Sequence, residues 1–131
     1  MRYTAKLIRV HDGDTVDLFV NFGFGYYQSL RIRLVGVDAP EIYGVGKNTE
    51  DYNNGILAKL EVEKWFYEVD PVVFLEAEHR DIYGRILGII IDKTEEKNLN
   101  DYMFEIVGWS GLKPLYTLEP LLDDWGGVKP R

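Results

Sequence analysis

One helical stripe separates two sets of strand-like runs, and that order constrains the fold more than any other feature of the chain. From about 50 to 69, Ala58, Val62, Trp65, Phe66 and Val69 recur at i, i+4, i+7, i+8 and i+11, the spacing of a helix with a single buried face. Before the stripe the pattern has period two. Tyr3 to Val10 sets Tyr3, Ala5, Leu7 and Arg9 against Thr4, Lys6, Ile8 and Val10, and Thr15 to Phe22 puts Val16, Leu18 and Val20 on one face. Gly23-Phe24-Gly25 breaks the second run, after which Leu30, Ile32 and Leu34 share a face opposite Arg31, Arg33 and Val35, and position alone reads Arg31 and Arg33 as a solvated face. After the stripe, Val72, Phe74 and Glu76 alternate with Val73, Leu75 and Ala77. Ile86 to Ile91 is continuously apolar, and a second helix is predicted from Asn98 or Leu99 to Val107.

Five strands with a helix inserted between the third and fourth is the order of an OB-fold barrel. The expected class is therefore mainly β with helices (α+β), a five-stranded OB-fold barrel followed by a C-terminal helix. Such a fold licenses no function by itself. A length of 131 residues suits one domain with a genuine core. The predicted division is 1–116 for the domain and 117–131 for an extension packed back on it. The apolar residues of that tail also fit a partner or dimer contact, with a monomer as the expected state. The absence of cysteine excludes disulfides and thiolate metal sites, and two histidines, His11 and His79, are too few to favour a histidine metal centre or a serine triad. No apolar run is long enough to span a bilayer, so no membrane partner is expected, and no export leader pattern is visible. The expected location is cytoplasmic.

Three short runs carry chemistry: Asp12-Gly13-Asp14-Thr15, Arg33 through Asp38-Ala39-Pro40-Glu41, and Asp81-Ile82-Tyr83-Gly84-Arg85. Taken singly, each reads as a polar turn between strands, with Gly13 there to accept an awkward backbone angle. Taken together, they supply what is needed to hold a hard cation against a phosphate. Ca2+ takes oxygen ligands at irregular angles, for which Asp12, Asp14 and Asp38 are candidates. Planar guanidiniums bind phosphate oxygens bidentately and stabilise charge developing there, a role that fits Arg33 and Arg85. Glu41, three residues past Asp38, is an acceptor placed to activate water. Pro40 biases Ala39 toward an extended backbone.

In order and spacing these runs resemble the staphylococcal-nuclease family, whose pattern is DGDT, then R-x4-D-[TA]-P-E, then D-x-YGR. The likeness extends from about Thr4 to Tyr116. It implies catalytic roles for Arg33, Glu41 and Arg85, and Ca2+ ligation by Asp14, Asp38 and the main-chain carbonyl of Ala39, where the family commonly has Thr. It implies that Asp12 supports the ligands from behind, that Tyr83 contacts a nucleotide phosphate, and that Tyr116 is the stacking tyrosine after the C-terminal helix. Lys47, in the loop after Glu41, is a further phosphate-contact candidate. The implied activity is Ca2+-dependent hydrolysis of DNA and RNA with little sequence preference, favouring single strands and leaving 3′-phosphate ends.

Charge opposes this reading at first sight. The net charge of −7 should repel polyanions, whereas nucleic-acid binders are usually basic. Distribution softens the conflict. Met1 to Lys47 holds six basic and five acidic residues, and four of those acids, Asp12, Asp14, Asp38 and Glu41, belong to the candidate site. The excess acid lies from Asn48 onward. The alternative is a catalytically inactive OB-fold module that binds nucleic acid or, through its acidic surface, a basic protein.

Overall fold

The computed structural model describes residues 2–80 and 84–108. Tyr83, Tyr116 and the 117–131 extension lie outside the described residues. Within them the strands are β1 Arg2–Asp12, β2 Thr15–Gly23, β3 Tyr26–Leu34, β4 Val72–Arg80 and β5 Ile86–Asp92, with helix α1 Glu50–Val69 between β3 and β4. The strands close into a barrel in the order β1-β2-β3-β5-β4. All neighbours are antiparallel except β3 and β5, which run parallel. The OB-fold order expected from the alternation is the order observed.

Inward alternation fills the barrel. Val16, Leu18 and Val20 from β2, Ile32 and Leu34 from β3, Val73 and Leu75 from β4 and Ile90 from β5 are essentially solvent-free. Helix α1 closes one end with Ala58, Val62, Trp65 and Phe66, the face its sequence stripe marks. Thr49 starts the helix, its side-chain oxygen accepting the Tyr52 N–H at 3.2 Å, and Glu50 and Asp51 sit in the first turn, where the helix dipole favours acid. Among the described residues no helix is long and apolar enough to cross a membrane.

Several boundaries differ from the sequence reading. β3 begins at Tyr26 rather than near Leu30, because backbone pairing with β2 extends through Gln28 and Tyr27, residues exposed on a ribbon with no inward alternation to reveal it. β4 runs on to Arg80, past a register shift after Ala77, until Arg80 pairs with Ile86. The second helix, α2, keeps α geometry only over Leu99–Met103 and widens to a π-helical turn over Phe104–Gly108. A bulge in β1 between Leu7 and Arg9 leaves Ile8 and Arg9 both on the outer surface.

Candidate active site

Small residues set the site on α1. A methyl group on Gly13 would stand 2.5 Å from Ala58 Cβ and 2.7 Å from Ala39 Cβ, so the β1–β2 turn and the loop after β3 meet the helix at a seat only glycine fits. Gly55 does the same one turn earlier. A methyl there would lie 2.8 Å from the Glu41 carbonyl oxygen and 2.9 Å from that of Pro40. Gly13 has no positive φ, so the expected awkward angle is not its reason for being glycine; close packing is.

Register does the rest. Thr15 pairs with Arg33 across β2 and β3, and the Leu34 N–H donates to the Asp14 carbonyl at 2.8 Å, bringing the β1–β2 turn beside the end of β3. The parallel pairing of Ile32 with Ile86 brings Arg85, at the mouth of β5, alongside. A cavity of about 560 Å³ opens at this end of the barrel, and Asp12, Asp14, Arg33, Asp38, Ala39, Glu41 and Arg85 all line it. Lys47 is exposed and is not part of that lining.

Asp14 is the centre of the polar contacts. Its Oδ1 accepts from Thr15 Oγ1 at 2.9 Å, and its Oδ2 accepts from the Ala39 N–H at 3.0 Å and lies 3.3 Å from Arg33 Nη1. Asp12 Oδ1 accepts the Asp14 N–H at 3.1 Å. Burial pushes the Asp14 carboxyl up to about 6. The adjoining Asp12 carboxyl adds to the rise, while Arg33 and the Ala39 N–H oppose it. A carboxyl whose charge is disfavoured by burial and by a neighbouring carboxyl suits a bound cation. Asp38, with a side chain 92% exposed, stands at the rim, its Oδ1 3.6 Å from Arg33 Nη2. Among the described residues no three His, Cys, Asp or Glu side chains form a ready-made metal cage. The carboxylates of Asp14 and Asp38 both line the cavity, hard oxygen donors of the kind that fits a cation content with partial protein ligation.

Arg33 is pre-oriented. Its Nη1 donates to the carbonyls of Val37 and, at 3.3 Å, Leu34, so backbone holds the guanidinium before any ligand arrives. Asn100, fully buried, holds that backbone in turn. Its Nδ2 donates to the Val35 carbonyl at 2.9 Å and the Gly88 carbonyl at 3.0 Å, and its Oδ1 accepts the Ile90 N–H at 3.0 Å.

Three lining residues had no role in the sequence reading: His11, Arg31 and Tyr43. The Tyr43 ring stacks on His11 with centroids 4.8 Å apart, and its hydroxyl donates to the His11 carbonyl at 3.3 Å. Burial, then Arg31, keeps His11 below its ordinary pKa. Arg31 is half-buried and grips Asp17 through Nε at 2.9 Å and Nη2 at 3.2 Å, rather than lying on a solvated face. An aromatic two residues past Glu41 was the only signal available for Tyr43.

The model of the staphylococcal nuclease homologue family matches residues 31–108, more than half of the chain. The chain belongs to the staphylococcal nuclease family. Endonuclease YhcR of Bacillus subtilis (strain 168) is 32% identical over 123 residues, covering 91% of this family member and 9% of the relative. An uncharacterized endonuclease of Escherichia coli is 29% identical over 119 residues, 90% of this chain and 66% of the relative. A micrococcal nuclease of Shigella flexneri is 28% identical over 111 residues, 79% and 55% respectively. The family member thus spans less than two thirds of the length of each of these relatives.

Proposed function

We propose that this chain is a Ca2+-dependent endonuclease that hydrolyses phosphodiester bonds of DNA and RNA with little sequence preference, acting best on single-stranded regions. The observation that carries the reading is the convergence of Asp14, Arg33, Asp38, Ala39, Glu41 and Arg85 on one cavity, from segments far apart in the chain. The names of the relatives, endonuclease and nuclease, support it.

Each side chain has a task set by its chemistry. Arg33 approaches the phosphate already fixed by backbone carbonyls, and Arg85 approaches from the mouth of β5. Together they direct forked donors at non-bridging oxygens and stabilise charge as it develops. Glu41, exposed at the cavity in the loop between β3 and α1, accepts a proton from the attacking water. The water oxygen bonds to phosphorus, the bond to the 5′-oxygen breaks, that oxygen gains a proton from solvent, and a 3′-phosphate remains. Bound Ca2+, held by Asp14, Asp38 and the Ala39 carbonyl with water, would add positive charge beside the phosphate. Asp12 would keep Asp14 in place through the contact to its N–H.

Two assays test this. Ends left by digestion of denatured DNA should resist polymerase extension until a phosphatase removes the 3′-phosphate. Arg85→Lys should lower kcat by about 10²–10³-fold, since a point charge cannot reproduce the fork. Near-normal turnover in Arg85→Lys would refute the role given to Arg85.

A further inference from the structure

A second depression, of about 540 Å³, adjoins the site cavity on the outer face of the barrel and shares Arg31 and Arg85 with it. Its lining has three cations, Arg9, Arg31 and Arg85, to one carboxylate, Asp17. That balance reverses the sign of the chain as a whole. The β1 bulge places Arg9 here: with Ile8 as the extra residue, Arg9 comes level with Asp17, and its Nε donates to Asp17 Oδ2 at 2.8 Å. Asp17 therefore holds two arginines on the surface without cancelling both.

The same face continues into aromatic surface. Phe19 follows Asp17 on the outside of β2, with Lys6 of β1 and Ser29 of β3 as its cross-strand partners. Tyr27 lies diagonally from Phe19, their rings parallel within 9° and 5.2 Å apart, and the two residues are 43% and 53% exposed. Tyr27 is four residues before Arg31, about 13 Å along the strand. A solvated sheet face has no need of a stacked, half-exposed aromatic pair beside cations. Flat rings next to a positively charged groove are what a single nucleic-acid strand recognises, through base stacking and phosphate attraction.

We infer that the outer face of β1, β2 and β3 is a track for single-stranded nucleic acid leading out of the site cavity, with phosphates along Arg31, Arg9 and Lys6 and a base on the Phe19–Tyr27 stack. The inference rests on the phosphodiesterase reading for what occupies the cavity, and it extends the bound strand beyond the bond that is cut. Charge complementarity and continuity with the cavity favour a strand over a protein partner.

The test is fluorescence anisotropy with labelled dT12 and dT3, using the 131-residue chain carrying Glu41→Gln so that bound strands stay uncut. The track predicts that dT12 binds about tenfold or more tightly than dT3. Adding Phe19→Ala and Tyr27→Ala should weaken dT12 about tenfold while changing dT3 less than twofold. Phe19→Tyr with Tyr27→Phe, which keeps both rings, should retain dT12 affinity. Phe19→Leu with Tyr27→Leu, which keeps apolar bulk without rings, should lose it, and this pair decides the matter if the alanine protein does not fold. Equal losses for both lengths, no loss at all, or full dT12 binding by the leucine pair would overturn the track. Aromatic-dependent dT12 binding, beside protein retaining Glu41 that never cuts denatured DNA in Ca2+, would support the track and sink the phosphodiesterase reading. Cutting by the protein retaining Glu41, with no aromatic dependence of dT12 binding, would do the reverse.

Discussion

The β2–β3 hairpin ends in two different ways. At the tip, Gly23, Phe24 and Gly25 all have positive φ, a methyl on either glycine would meet nothing within 4 Å, and Phe24 is 99% exposed. At the other end, Asp14 and Thr15 are buried beside half-buried Arg33, and a methyl on neighbouring Gly13 would strike two side chains. Glycine is required at both ends, by backbone angle at the tip and by contact at the site. The tip turn is built by its own residues, whereas the site turn is held from outside by α1. A charged cluster that must stay ordered without a ligand gains from the second arrangement.

The sharpest way to break this contrast is Asp14→Asn. Activity should fall by at least about a hundredfold, as expected when a pre-organised charged group is lost. Stability should move the opposite way in chelator. Folding raises the Asp14 pKa from 3.8 to about 6, so the native state holds the proton more tightly than the unfolded chain. The ionised group therefore destabilises above pH 6, and its cost vanishes as pH falls toward 3.8. Thermal midpoints in chelator should favour Asp14→Asn at pH 7, and the gap should close by pH 4. A gap independent of pH would contradict the stated origin of the shift.

Next in size is Gly13→Ala, expected to cost about 1–3 kcal/mol through overpacking and to depress turnover by displacing Asp14. Chemical denaturation and kcat report the two effects, and Ala58→Gly in the same chain should recover part of both. Unchanged stability in Gly13→Ala would mean that the seat on α1 is not tight. Asn100→Ala should cost about 1–3 kcal/mol, because it takes the buried side-chain partner from the Val35 carbonyl and the Ile90 N–H and leaves the Gly88 carbonyl only the Val35 N–H. Gly25→Ala should be the smallest of these, about 1–2 kcal/mol from the left-handed backbone alone, with turnover unchanged. Lost activity in Gly25→Ala would erase the distinction between the two ends.

The elements were legible where burial imprints a period. Val73 and Leu75 alternate with half-buried neighbours, and Ala58, Val62, Trp65 and Phe66 mark one helical face, so the strand order and α1 follow from local pattern. Illegible were features set by a partner in space. The tyrosines opening β3 carry no in-out signal, the bulge at Ile8 depends on pairing with β2, and the widening after Met103 has no local mark. For the site, the motifs indicated chemistry but not support. Nothing local in Gly13, Gly55 or Asn100 reveals that helix, loop and strand meet there. Arg31 read as solvated because its acceptor, Asp17, stands on another strand.

The most direct measurement is hydrolysis of heat-denatured DNA by the purified chain in Ca2+ and in chelator, beside a Glu41→Ser control. Cleavage that needs Ca2+ and collapses in Glu41→Ser is the result predicted. Equal cleavage in chelator, or a fully active Glu41→Ser protein, would contradict the assignment of this cavity as a metal-assisted phosphodiesterase site.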